Sequence, residues 1–209
     1  MPTVNHQGNR PAMSGYSGSR RLALLLGILL SLLSASYGAL GDPQEQRAQI
    51  GLRLFRALLA ADEDLGQKID AQGRLLLALL YRNDRRIAEK FAAALQASGH
   101  GREQGKIKNY PIQVILADGA HFSTLQEQVP AAIYLVQSLP DPVLEEVIRY
   151  GIDHQRVVFS PFEGHVERGV LAGLAIEVRV LPYINQTTLR RSGIRLKSLL
   201  LKVAKIHEP

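Results

Sequence analysis

Four short apolar runs constrain this chain most: Arg74 to Tyr81 (RLLLALLY), Ile112 to Ala117 (IQVILA), Ala131 to Val136 (AAIYLV) and Arg156 to Ser160 (RVVFS). Arg74 to Tyr81 is continuous between Gly73 and Asn83-Asp84, the pattern of a strand buried on both sides, as a parallel sheet requires; the other three read as further strands. Between them the periodicity changes to that of helices. Asp84 caps a predicted helix through Ser98, with Ile87, Phe91, Ala94 and Leu95 on one face and Gly99 as its stop. Phe122 to Gln128 is a short helical turn. Pro140-Asp141-Pro142 opens a helix to about His154, with Leu144, Val147, Ile148 and Ile152 inward. Strands alternating with helices predict an α/β fold: one compact domain, a mainly parallel sheet, helices on both faces and right-handed crossovers.

The flanking segments fit the same plan. Residues 43–62 carry Ala48, Leu52, Phe55 and Leu59 at helical spacing, with Leu58 beside them; Asp42 suits the cap and Pro43 the first turn. Leu174 to Ile184 reads as one more strand, or two halves bent near Pro182. Gln186 to Ser192 and Arg195 to Ile206 read as helices joined at Gly193, the second with Leu196, Leu199, Leu200 and Val203 on its apolar face. Hydrophobic residues make up 46% of the 209, enough to bury a core, and no internal repeat is visible.

Residues 1–41 are of another kind. A polar, Gly- and Ser-rich lead ends in Arg20-Arg21, an uncharged run follows from Leu22 to Leu33, and small residues close it. Basic end, short apolar run and small-residue exit are the three parts of a secretory signal. Cleavage near Gly38 or Gly41 fits, and Met13 offers a start that gives a conventional length. The run of 12 residues falls short of the ~20 that span a bilayer; an uncleaved anchor is the alternative. The expected location is therefore the periplasm, with residues 42–209 as the working domain.

Charge and cysteine content narrow the function. Of 25 basic residues, three (Arg10, Arg20, Arg21) lie in residues 1–41, which hold no acid. The remainder has 22 basic against 19 acidic residues, too little excess for nucleic-acid binding. With no Cys, disulfides, thiol catalysis and thiolate metal sites are excluded.

The order of segments over 45–206 resembles the YfiR family of small exported proteins. The resemblance rests on RAQIGLRLFRALLA, GRLLLALLYRND, PIQVILAD, AAIYLVQSL and RVVFSPFEGHVERGVLAGLAIEV, and most on RVLPYINQTTLRRSGIRLKSLLLKVAKI at the end. It implies a periplasmic, non-enzymatic regulator without cofactor. Such a protein restrains a membrane sensor, of diguanylate cyclase or histidine kinase type, by contacting its periplasmic part and so modulates cyclic-di-GMP signalling. It also implies a homodimer. The family's regulatory members often carry cysteine pairs, and this chain has none. Its loop FEGHVERG is also more charged than the family's Gly-rich equivalent.

That loop is the densest polar cluster and follows a strand at the edge where open α/β sheets bind ligands. Glu163, His165 and Glu167 alternate with Gly164 and Val166, so an extended loop would turn all three to one side; with Arg168 they form a candidate partner-contact loop. A metal held by Glu163, His165 and Glu167 has no standard spacing, and a solvated loop is the plain alternative. Ser160 with His154 or His165 suggests a nucleophile and base, but no G-x-S-x-G elbow surrounds it. Asn185 suits a helix cap that accepts from Thr187 or Thr188. Arg190, Arg191, Arg195, Lys197, Lys202 and Lys205 make the last helices basic, which suits a solvated face, an acidic partner or anionic lipid. The expectation is an exported regulatory binding protein; the alternative is a small-solute receptor of a transport or sensing system, and a hydrolase has least support.

Overall fold

The computed structural model describes Met1 and residues 43–126 and 128–208. The leader, its cleavage sites and the Asp42 cap lie outside the described residues. Among the described residues no helix is long and apolar enough to cross a membrane.

Residues 43–208 form an α/β domain. In chain order its elements are α1 (Pro43–Ala61), β1 (Leu75–Tyr81), α2 (Arg85–Ala97), β2 (Lys106–Ile107), β3 (Tyr110–Asp118), a 3-10 segment (Gly119–Gln126), β4 (Ala132–Leu135), α3 (Asp141–Asp153), β5 (Val157–Ser160), β6 (Ala172–Ile176), β7 (Val180–Asn185), α4 (Gln186–Ser192), α5 (Ser198–Val203) and β8 (Lys205–His207). One eight-stranded sheet runs in the order β2-β3-β1-β4-β5-β6-β7-β8. The pairings β3–β1, β1–β4, β4–β5 and β5–β6 are parallel, as the apolar runs require, and β7–β8 is parallel too. The two antiparallel pairings are β2–β3 and β6–β7.

Strand parity divides the interior into two cores. Leu75, Leu77 and Leu79 of β1, Ala132 and Tyr134 of β4, and Val157 and Phe159 of β5 meet α1 and α2 on one face. Ala78, Leu80, Ile133, Leu135 and Val158 meet the 3-10 segment and α3 on the other. The alternation is the ordinary two-residue period of a strand. On the α1 side Tyr134 stacks on Phe159 with ring centroids 5.5 Å apart, and Phe55 tilts onto both. The Tyr134 hydroxyl donates to the Ala48 carbonyl, so the phenol's polar end is satisfied inside the core. Gly51 makes this approach possible: a Cβ there would lie 2.8 Å from the Tyr134 Oη and 3.1 Å from Phe159.

The capping chemistry matches the sequence. Asp84 Oδ1 accepts from the Arg86 N–H, Pro142 sits in the first turn of α3, and Gly193 ends α4 with φ of 66°. Three expectations need correction. First, the segment from Leu174 to Ile184 is a hairpin whose tip is Glu177 to Arg179, not a strand bent at Pro182. Pro182 is tolerated because β8 pairs β7 only from Tyr183 onward, so its missing N–H faces an unpaired stretch. Second, Arg195 to Ile206 is not one helix. The Lys197 N–H donates to the Ala61 carbonyl and Leu196 bridges Asp62, which draws residues 195–197 into extended backbone; α5 lasts six residues and gives way to β8. Its Leu199 and Val203 are exposed rather than core-packed. Third, Ala94 is exposed on α2, where Ala88 takes the inward place.

Candidate functional site

The sheet's order reverses between β1 and β4, since the chain moves from β1 outward to β3 on one side and returns to β4 on the other. Open α/β sheets hold ligands at the carboxyl end of such a switch point. Here the protein's own side chain fills it. Gln137, just past β4, aims its Oε1 at the turn after β1 and accepts from the N–H groups of Arg82, Asn83 and Asp84 at 2.9, 3.1 and 3.2 Å. Successive N–H groups converging on one point form a nest for an anion; an amide carbonyl occupies this one.

Next along the edge stands His165. It is buried, while Glu163, Glu167 and Arg168 are exposed. The loop does not run extended: Gly164 takes φ of 76°, and the Arg168 and Val170 N–H groups donate to the carbonyls of Gly164 and His165. A series of turns therefore replaces the two-residue alternation, and the imidazole points inward. Both ring nitrogens have a serine partner. Ser160 Oγ, which accepts from the Phe162 N–H at 3.2 Å, lies 2.8 Å from His165 Nδ1. Ser138 Oγ lies 3.3 Å from Nε2. Burial, then the nearby Arg168, lower the imidazole pKa to about 4, against smaller opposing effects of Asp141 and Glu167. His165 is thus a neutral pin between the ends of β4 and β5.

Ser160 and His165 do come together at hydrogen-bond distance, as a nucleophile and base would. Ser160, however, is fully buried and shares its hydroxyl with the Phe162 amide. His154 stands elsewhere, at the end of α3, with Nδ1 3.0 Å from the Tyr150 carbonyl and its ring stacked on Tyr150. Glu163 and Glu167 stay exposed while His165 turns inward, and among the described residues no three His, Asp or Glu side chains come together as metal ligands would. Arg168 pairs with Asp141 in the first turn of α3 and so fastens the loop to that helix.

Asn185 does more than cap α4. Its Oδ1 accepts from Thr188 N–H at 2.8 Å, as expected, while its Nδ2 donates to the Val166 carbonyl at 2.8 Å. Thr188 Oγ1 donates to the Gly169 carbonyl. Two residues of the closing strand and helix therefore hold the 161–171 loop from below, and the only hint of this in the sequence is the cap motif itself.

The outer wall of the loop borders a cleft of about 130 Å³ lined in part by Arg47, Glu163, Glu167, Tyr183 and Lys205. Arg47 Nε donates to the Pro161 carbonyl, and its Nη2 reaches the Leu174 carbonyl at 3.3 Å. Lys205 pairs with Glu177 at 3.0 Å and lies over the Tyr183 ring. Partial burial, with Glu167 adding to it, raises the Tyr183 phenol pKa. The predicted contact residues Glu163 and Glu167 thus share a surface with basic groups from α1 and β8, a juxtaposition that sequence spacing does not reveal.

No protein-family model matches the chain, and no curated protein matches it. Among solved structures the chain is similar to the ABC domain in complex with L-Trp from Streptococcus pneumonia, at 14% identity and a TM-score of 0.50, over 77% of this chain and 62% of that one. A conserved domain protein from Vibrio cholerae aligns at 15% identity and a TM-score of 0.45, over 80% of this chain and 60% of that one. The ligand-free, open form of a substrate-binding protein with adhesive properties from Clostridium difficile aligns at 13% and 0.43, over 70% and 58%. The chain spans less than two thirds of each of these. The first likeness bears out the α/β fold.

Proposed function

We propose that this chain is an exported, non-enzymatic regulatory binding protein that contacts the periplasmic part of a membrane sensor, of diguanylate cyclase or histidine kinase type, and modulates cyclic-di-GMP signalling. The observation that carries this reading is the filled carboxyl edge. Gln137 occupies the nest at the switch point and His165 is locked between Ser160 and Ser138, so the edge is used for holding loops rather than for chemistry. What it presents outward is Glu163, Glu167 and Arg168 on a loop tied down by Asn185, Thr188 and Asp141. A rigidly held charged loop suits partner recognition, because little ordering entropy remains to be lost on binding. The signal-like pattern of residues 1–41 and the YfiR-like order of segments supply the compartment and the class of partner.

The test is genetic and biochemical together. A deletion strain should change in cyclic-di-GMP level and biofilm formation, and a Glu163→Lys, Glu167→Lys double variant should fail to restore it and should lose a membrane crosslink that the wild type forms. Unchanged cyclic-di-GMP in the deletion strain refutes the reading.

A second reading, a small-solute receptor, is favoured by the cleft beside the loop. Arg47 and Lys205 line the same cleft of about 130 Å³ as Glu163 and Glu167, a mixture of charge that suits a small zwitterion. The similar Streptococcus domain was solved with L-Trp, and amino acids are the first probes to try. A thermal-shift screen decides it, since a tight ligand raises the melting temperature by mass action.

A further inference from the structure

Away from the carboxyl edge, α1 and α2 leave a groove of about 270 Å³ between them. That is close to the smaller end, about 300 Å³, of known ligand pockets. Its floor is apolar: Leu52 of α1 and Phe91 of α2, both nearly fully buried, with the small Ala94 leaving space above them. Its rim is basic. Arg53 and Arg56 stand one helical turn apart on α1, and Lys90 faces them from α2.

The three cations are not equivalent. Lys90 is paired with Glu45. Arg56 is pinned but not neutralised: its Nη1 donates to Ser98 Oγ and its Nη2 to the Lys106 carbonyl, each at 2.7 Å. Both partners are uncharged, and Glu103 acts on Arg56 only through space. Among the described residues Arg53 has no hydrogen-bonded or ionic partner. A guanidinium has five N–H donors, so Arg56 keeps some for a further acceptor while its position is already fixed. Partial burial also lowers its pKa, the mark of a cation that has lost water without gaining a counterion.

We propose that this groove binds a small anionic amphiphile, a carboxylate carried on a short aliphatic or aromatic body, with the carboxylate on Arg53 and Arg56 and the body on Leu52, Phe91 and Ala94. The chemistry of the two ends selects this class. A purely apolar ligand would leave the unneutralised guanidinium beside it, and a small inorganic anion would leave the floor wet. The pinned Arg56 gives the site a preorganised charge-assisted donor, which is where such contacts gain most.

Octanoate and its uncharged twin 1-octanol are the probes, titrated calorimetrically into the full-length protein. Wild type should bind octanoate saturably with one site, and 1-octanol at least about tenfold more weakly, or roughly 1.4 kcal/mol. Arg53→Gln should weaken octanoate about 1.4- to fivefold, the range of one exposed ion pair. Ala94→Trp fills the groove from an exposed helix position and should abolish binding while leaving the melting temperature close to wild type. Both variants keep the apolar run Leu22–Leu33, so binding that survives in Ala94→Trp belongs elsewhere on the chain and overturns the proposal. Equal affinity for octanol and octanoate, or no saturable octanoate binding up to millimolar concentration, overturns it as well.

Discussion

Changing His165 to glutamine should flatten the acid side of this protein's stability curve. The imidazole is buried and neutral, with a pKa of about 4 in the folded chain against 6.5 for the ordinary side chain. Between those values the unfolded chain binds a proton that the folded chain does not, so stability falls as pH falls through this window. The loss is about 2 kcal/mol between pH 7 and pH 5 and about 3 kcal/mol by pH 4, taking ~1.4 kcal/mol per pKa unit. Both figures are upper values, because Ser138 lies at the surface and lets water approach Nε2. Other shifted groups fall outside the window. Asp64, Asp70 and Asp84 have pKa values held below the ordinary carboxylate value by their arginine and backbone partners. Their stabilising effect is present above that value and is lost only as pH falls through the lowered one. Urea unfolding of wild type and His165→Gln at pH 7, 6, 5 and 4.5 measures the difference. Glutamine cannot titrate, so the variant should be less stable at pH 7 yet lose far less on acidification. An equal loss in both proteins would mean that His165 is not the group responsible.

Three more outcomes test the packing. Gly51→Ala should destabilise the domain by about 1–3 kcal/mol, since its Cβ meets Tyr134, Phe159 and Pro161 within 3.1 Å; chemical denaturation measures it. Lys68→Met strips the partner from Asp62, which is fully buried and paired at 2.5 Å, and should cost about 3–5 kcal/mol in the same assay, part of it recovered by adding Asp62→Asn. Gln137→Ala should cost only about 1 kcal/mol, because water reaches the freed amides, but should speed hydrogen exchange at Arg82, Asn83 and Asp84 markedly.

The parallel core was legible because β1, β4 and β5 are buried on both faces and so carry unbroken apolar runs. The helix starts at Asp84, Pro140-Asp141 and Asn185 were legible because capping is local chemistry. What escaped the sequence depends on distant partners. Leu199 and Val203 have helical spacing with Leu196, yet Leu196 is held by Asp62, more than a hundred residues away, and the helix cannot begin before Ser198. His165 looked like a neighbour of Glu163 and Glu167 because alternation assumes extended backbone. The turn at Gly164 and two serine hydroxyls on other segments send it inward instead. The filling of the switch point by Gln137 has no sequence signal, since any polar residue after a strand would read the same.

The parity that sorts β4 into two interiors makes that strand intolerant of slippage. Moving it along by one residue would carry the Tyr134 hydroxyl away from the Ala48 carbonyl and set it among Leu144, Val147 and Leu80, whose side chains offer it no acceptor. The same slip would set the smaller Ile133 in the place where the Tyr134 ring packs on Phe55 and Phe159, leaving the space beside Gly51 underfilled. A single misplaced hydroxyl thus serves as a proofreading device for both halves of the molecule at once, and α1 and α3 police the same register from opposite sides of the sheet.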